Sequence, residues 1–335
     1  MPTLDIFNTD AFSLSSLTAA VNDLDHLPGR IGELGLFDEA GITTTSAWVE
    51  KQGETLTLVP AAQRGAPGDV TTRARRTGVN FSAVHLPQRG AVLADQVQGI
   101  RAFGSETESQ MVERLVGDEM ARLRRRIDAT LEYHRIGAVK GSVLDADGTT
   151  ELLDIFTAFG LTQKTLSFVF ATATTNIRNK CSAGRRLVED ALGGRSYTGL
   201  RAFCSSGFFD ALTSHALTQS AVERWNQGEM LRADLGRAGN SFYFGGITFE
   251  EYRGSVNSVD FIAANTAYLV PEGVAELFIV RNAPADYVET VNTVGLPYYA
   301  KQELMRMGKG VDIEVQANPI TLCTKPTACI KLTTA

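Results

Sequence analysis

The sequence predicts an α+β fold, and three observations carry that prediction. One long amphipathic helix pattern runs from Ser105 to about Lys140, strand-like segments flank it on both sides, and no motif for catalysis interrupts them. The helix opens on Ser105-Glu106-Thr107-Glu108, which reads as a capping box: the serine hydroxyl and the glutamate three residues on satisfy orphan backbone donors. Val112, Val116, Met120, Leu123, Ile127 and Leu131 then recur at steps of three or four and form one apolar stripe. Arg122, Arg124, Arg125 and Arg126 fall mostly off that stripe and read as a solvated, charged flank. Roughly 30 residues of helix span about 45 Å, against an ordinary length of ~11–12 residues.

The segments before the helix look different from it. Residues 1–45 read as an extended arm, with short apolar pieces (Leu4, Ile6 and Phe7; Leu14 and Leu17; Ile31, Leu34, Leu36 and Phe37) broken by Asp, Ser, Pro28-Gly29 and Gly35. Such a segment buries too little surface alone and must lie on something else. From Thr43 to Val59 the pattern turns β-like, with a hairpin expected about Gln52-Gly53. Pro60 to Gly99 is turn-rich and poor in apolar residues, too long for an ordinary connector and too rich in arginine for a flexible one. A projecting loop that docks on a neighbour is expected there, with residues 64–85 serving that neighbour rather than their own core.

Beyond the helix, Asp145-Ala146-Asp147-Gly148 predicts a hairpin turn, and Leu166 to Phe170 a strand. Ile177 to Leu192 is helical and Gly193-Gly194 ends it. Gly207 to Trp225 holds two short helices with Asp210 and Ser214 as caps, and Phe242 to Phe249 an aromatic hairpin about Gly245-Gly246. Glu276 to Val280 reads as a buried strand. Val311, Ile313 and Val315 alternate with Asp312, Glu314 and Gln316, a strand with one wet face. Ile320 and Leu322, then Ala328, Ile330 and Leu332, continue across Pro319 and Pro326, which point to edge strands.

Composition narrows the function classes. The 335 residues are 44% hydrophobic and 21% charged, ordinary for a globular chain of two or three domains. A net charge of -6 argues against a nucleic-acid binder. No run of about 18 apolar residues suggests a membrane span, and Met1 to Thr9 carries no secretory pattern. Cys181, Cys204, Cys323 and Cys329 are scattered, as are His26, His85, His134 and His215, so reduced, packed thiols are expected rather than zinc ligands. The GxSxG, Walker, GxGxxG and HExxH motifs are missing. Ser214-His215 are helix neighbours pointing apart, and Asp38/Glu39 and Glu250/Glu251 read as solvated acidic pairs. Neither enzyme activity nor a cofactor or metal is expected. Arg73, Arg75 and Arg76 fit a partner's acidic surface better than a phosphate.

Several segments taken in order resemble one family. They are Arg64-Gly65-Ala66-Pro67-Gly68; Arg101-Ala102-Phe103-Gly104-Ser105-Glu106; Gly245-Gly246-Ile247-Thr248-Phe249-Glu250-Glu251-Tyr252; Gly295 to Gln302; and Gly310 to Pro319. Each is weak alone, but the colinear set is similar to the major capsid proteins of lambda-like tailed bacteriophages, the family called phage major capsid protein E. The resemblance implies a Hong Kong 97-type capsid fold with a long spine helix, an extended loop, and peripheral and axial domains. On that basis residues 1–45 are the N-terminal arm and 46–103 the hairpin and extended loop. Residues 104–194 hold the spine helix and peripheral domain, 195–285 the axial domain, and 286–335 the strands that return to the peripheral domain.

The function so implied is a head protein that assembles into the icosahedral shell around the phage genome, in the virion, after assembly in the host cytoplasm. Its partners are other copies of itself in hexamers and pentamers, with portal, scaffold and decoration proteins, and packaged DNA nearby without sequence-specific recognition; no membrane is involved. Arg64, Arg73, Arg75, Arg76, Arg124 and Arg125 are the candidate intersubunit contacts. The competing readings are an encapsulin-like or tail structural protein, and a cytoplasmic hydrolase with an unrecognised site.

Overall fold

The computed structural model describes residues 12–24, 29–51, 77–98, 108–227, 241–256 and 259–335. They divide into two compact units, one of residues 1–47, 81–135 and 279–321, the other of 48–80, 136–278 and 322–335.

The first unit is organised by helix α4 (Glu108–Lys140), 33 residues long, or about 50 Å at the standard rise. Its residues to Arg135 belong to this unit and the last turn to the other. The expected stripe is its buried face: Val116, Met120, Leu123, Ile127 and Leu131 are all in the core, whereas Ser105 and the side chain of Val112 lie outside the described residues. Against that stripe pack Val311, Ile313 and Val315 of strand β16 (Gly310–Ala317). This strand is the middle of an antiparallel sheet with β15 (Tyr299–Leu304) on one side and β4 (Leu86–Leu93) on the other. Removing the Leu123 side chain to alanine would cost about 2–5 kcal/mol.

Residues 12–41 are not an extended arm. They form α1 (Leu14–Asp23), α2 (Arg30–Glu33) and β1 (Phe37–Gly41). Ser13 caps α1 by accepting the Ser16 N–H at 3.3 Å. Leu17 and Val21 recur at helical spacing and enter the same core as Leu123, which is why this stretch folds as helix. α1 lies along β15, where the Thr18 hydroxyl donates to the Ala300 carbonyl at 3.4 Å and accepts its N–H at 3.3 Å. That side-chain pairing covers the sheet edge. β1 joins a second small sheet with β14 (Phe278–Asn282) and β17 (Pro319–Cys323), in the order β1-β14-β17. The short helix α3 (Ala94–Gln98) follows β4.

The region before α4 also departs from expectation. Among the described residues β2 (Ser46–Lys51) pairs with β3 (Thr77–Ser82); the hairpin expected about Gln52-Gly53 falls within residues 52–76, which lie outside the described ones. Phe81 is buried, and the Val84 N–H donates to the Pro319 carbonyl at 3.0 Å. Residues 77–93 therefore build this chain's own sheets, against the expectation that residues up to 85 serve a neighbour.

The second unit centres on a six-stranded mixed sheet in the order β7-β18-β13-β8-β10-β9. Its strands are β7 (Thr165–Ser167), β8 (Gly199–Cys204), β9 (Ser241–Phe244), β10 (Ile247–Glu251), β13 (Thr266–Glu272) and β18 (Ile330–Thr333). The hairpin of β5 (Ser142–Leu144) and β6 (Glu151–Asp154) and the pair β11 (Ser255–Val256) and β12 (Val259–Asp260) complete it, with helices α5 (Ile155–Phe159), α6 (Ile177–Leu192), α7 (Ser206–Ser214) and α8 (Ala216–Gln227). The sequence placed α6 and its end correctly: Gly193 takes the left-handed conformation at φ 63° that a helix C-terminus favours. The aromatic hairpin is also as expected, with Gly245 and Gly246 at φ 62° and 89° in the turn. Phe168 packs edge-on to Phe208 and Phe249, at centroid distances of 5.6 and 6.3 Å.

Four expectations are corrected. The strand at 166–170 stops at Ser167 because Val169 turns to φ 52°. Asp210 lies inside α7 and caps nothing, and the N-cap position of α7 is Ser205. β18 is an interior strand, because Pro326 sits in a 3₁₀ turn ahead of it and removes no sheet donor. Gln316, expected on a wet face, is fully buried, donating to Asp286 at 3.1 Å.

Candidate functional site

On one side of α4, just beside its apolar stripe, four charged residues follow one another up the helix: Arg124, Asp128, Glu132 and Arg135. At steps of three and four they share one face, and all four are buried. Together they hold the N-terminal segment. The Arg124 guanidinium donates to the carbonyls of Val21 and Leu24 at 2.5 and 2.7 Å, at the open C-terminal end of α1. Those carbonyls have no helical partner, and a cation there also meets the negative end of the helix dipole. Eight residues on, Glu132 does the converse, accepting the N–H groups of Ile31 and Gly32 at 2.8 and 3.3 Å at the start of α2. Gly29 is where a Cβ would run into the Glu132 side chain, so the close approach requires glycine.

The remaining charges are matched within the same unit. Arg124 stacks on the Tyr298 ring at 4.6 Å and lies 3.8 Å from Asp128, while the Tyr298 hydroxyl donates to Asp128 at 2.5 Å. Burial, and then the Asp128 charge, push the Tyr298 phenol above its ordinary value. Arg135 donates to Glu39 at 2.6 Å and stands 3.9 Å from Glu132. A cavity of about 290 Å³ lies beside this row, lined among others by Arg124, Arg135, Asn282 and Tyr298.

These contacts correct the reading of Arg124 as an exposed charge for a neighbouring subunit: at 5% exposure it is engaged inside its own chain. Arg125 is exposed, with its Nε donating to the Ala121 carbonyl at 3.2 Å. Arg64, Arg73, Arg75 and Arg76 lie outside the described residues. Sequence reasoning missed Asp128, Glu132, Arg135 and Tyr298. The available signal was the place of Arg124, Asp128 and Arg135 on the helical wheel, flanking Leu131.

The features that imitate chemistry are structural. Asp38 pairs with Arg281 at 2.9 Å and Glu39 with Arg135, so neither acid is merely solvated. Glu250, also read as solvated, is buried and shares Arg201 with Glu272. The Ser214 hydroxyl donates to the Asp210 carbonyl at 2.5 Å, away from any dyad. All four cysteines are free and buried, and burial pushes Cys181 up to about 12, which keeps it an unreactive thiol. Among the described residues no three His, Cys, Asp or Glu side chains gather as metal ligands, and no helix is long and apolar enough to cross a membrane.

The sequence pattern of the family described as phage major capsid protein E matches residues 13–334. The major capsid protein of Pseudomonas phage KPP10 is 28% identical over 342 residues, covering 96% of each chain. That of Salmonella phage Felix O1 is 26% identical over 347 residues, covering 94% of each. Among solved structures, a prophage protein of E. coli CFT073 described as a capsid protein superposes with a TM-score of 0.60 at 13% identity, over 96% of this chain and 99% of that one. The capsid of Myoviridae phage XM1 superposes at 0.50 with 11% identity, over 93% and 94%. The fold is the α+β capsid fold of the Hong Kong 97 type, and this chain belongs to the phage major capsid protein E family.

Proposed function

We propose that this chain is the building block of an icosahedral head shell, in which its chemistry is geometric rather than catalytic. The observation that carries the reading is the family match across residues 13–334, which leaves almost no part of the chain for another task. The buried row on α4 supports it from within. Arg124 and Glu132 tie the N-terminal helices to the long helix at two points, which gives a subunit used in many copies one defined fold in this unit.

In this reading hexamers and pentamers of the chain close the shell, with portal, scaffold and decoration proteins as further partners. The packaged DNA lies near a wall that is not basic overall, since the chain carries a net charge of -6. Residues about 195–285 are the axial domain and the long helix belongs to the peripheral one. Arg64, Arg73, Arg75 and Arg76 sit on the extended loop and reach carboxylates of the neighbouring copy, and Arg125 is the remaining candidate on α4. Negative-stain microscopy of the purified chain, alone and with its scaffold, tests the proposal directly: shells or capsomers support it, and a monodisperse monomer or dimer at high concentration overturns it.

A further inference from the structure

Cys323 closes strand β17 and Cys329 immediately precedes β18; their sulfurs stand 3.9 Å apart and both side chains are buried. Both residues belong to the second unit. Either thiol can donate to the other's sulfur. A disulfide holds its sulfurs at about 2 Å, so this pair lies roughly 2 Å beyond bonding distance. The other two cysteines have different neighbours. Cys181 packs against Gly245, and the Cys204 thiol donates to the Ala202 carbonyl at 3.4 Å.

The turn between the two cysteines is tied down on both flanks. The Thr324 N–H donates to the Leu277 carbonyl and the Thr324 hydroxyl to the Glu276 carbonyl, both at 2.8 Å. The Ala328 N–H donates to the Lys325 carbonyl at 3.0 Å and the Cys329 N–H to the Pro326 carbonyl at 3.1 Å, in the 3₁₀ turn that Pro326 opens. From Ile330 onward β18 is paired on both sides, by β13 and β7. This backbone keeps the sulfurs neighbours, so a bond between them asks for a short approach of two side chains. The contact with Cys323, and then burial, hold the Cys329 thiol well above its ordinary range. Such a thiol reacts slowly, because the thiolate is the nucleophile, and burial admits only small reagents.

We propose that Cys323 and Cys329 form a two-electron redox site, which a hydroperoxide converts to an intrachain disulfide that staples the turn before β18. One sulfur, as thiolate, attacks a peroxide oxygen; the O–O bond breaks, a sulfenic acid forms, and the departing hydroxide takes up the thiol's proton as water. The second thiol then attacks the sulfenic sulfur. The S–O bond breaks, the S–S bond forms, and the hydroxyl leaves with the second thiol's proton as another water. Two thiols and one peroxide thus give one disulfide and two waters, the peroxide gaining the two electrons that the sulfurs lose. This chemistry needs only the folded chain. Its timing rests on the assembly reading above, since a head protein leaves a reducing cytoplasm for oxidising surroundings.

Mass spectrometry of the purified full chain tests the site. The folded chain is exposed to hydrogen peroxide and then unfolded in iodoacetamide, which alkylates every remaining thiol. Of the four cysteines, only Cys181 and Cys204 should take the label, and the peptide holding Cys323 and Cys329 should be lighter by two hydrogens. Dithiothreitol added before alkylation should restore labelling at all four. Cys323→Ser and Cys329→Ser, each tested alone, should show neither the lost hydrogens nor their return. Labelling of all four cysteines in the treated wild type, or added oxygen at Cys323 and Cys329 in place of lost hydrogens, would overturn the site. The wild-type peptide mass decides even where a serine variant fails to fold. Failure to form particles would remove the assembly reading and the timing drawn from it, and leave this result standing.

Discussion

The Arg124 guanidinium lies 4.6 Å over the ring of Tyr298, whose hydroxyl donates at 2.5 Å to Asp128, one turn along the same helix as Arg124. Residues 170 positions apart in the chain thus close a buried triangle of cation, ring and carboxylate beside the core of the first unit. The strongest consequence concerns Arg124→Ala. It removes the cation beside a buried acid and the donor to two α1 carbonyls, and loss of one partner from a buried pair costs about 3–5 kcal/mol. Arg125→Ala, at an exposed position one residue on, should stay within about 0.5 kcal/mol. Urea midpoints of the two purified variants, measured side by side, check the contrast.

Glu132→Gln should loosen the start of α2 without unfolding the subunit. The amide keeps an acceptor but loses the charge that strengthens the bonds from Ile31 and Gly32, at about 1.5–3 kcal/mol. Faster amide exchange at Ile31 and Gly32, with α1 and the β4-β15-β16 sheet unchanged, is the expected signature; unchanged exchange there would remove Glu132 from the clasp.

An alkaline limb follows from Tyr298 and Tyr287. Burial raises both phenols, helped by Asp128 for the first and Glu314 for the second. In the unfolded chain each ionises near pH 10. The raised folded values mean their stabilisation is complete below about pH 10 and declines as pH climbs through that value toward the folded one, because only the unfolded state releases the proton. Thermal melts between pH 9 and 11 should fall more steeply for the wild type than for Tyr298→Phe. Parallel curves would show that this phenol does not contribute.

Replacing Arg73, Arg75 and Arg76 together with alanine tests the proposed clamp on the neighbour. Circular dichroism of the subunit should be nearly unchanged, while particle yield or melting temperature drops and assembly grows more salt-sensitive where the remaining contacts are exposed ion pairs. Wild-type yield and melting temperature would end that role for the loop.

What the sequence made legible is what local periodicity encodes. α4 and α6 repeat apolar residues over many turns, and Gly193 and Gly245-Gly246 mark stops that only positive φ allows. The buried row was not legible, because Arg124, Asp128, Glu132 and Arg135 at steps of three and four look the same whether solvent or another segment covers them. What decides is the covering: Val21, Leu24, Ile31 and Tyr298 come from about 100 to 170 positions away. The N-terminal helices were misread for the same reason, since Leu17 and Val21 form a helical face only with α4 and the sheet to receive it. Asp38, Glu39 and Glu250 looked solvated because their arginine partners are distant in sequence.

The most direct test of the central claim is the particle itself. Negative-stain images of the chain, expressed with its scaffold and purified by sedimentation, should show closed shells of uniform diameter, or hexamers and pentamers where assembly stops early. A single species sedimenting as monomer or dimer across all concentrations and salts, with no shells in any field, would contradict it.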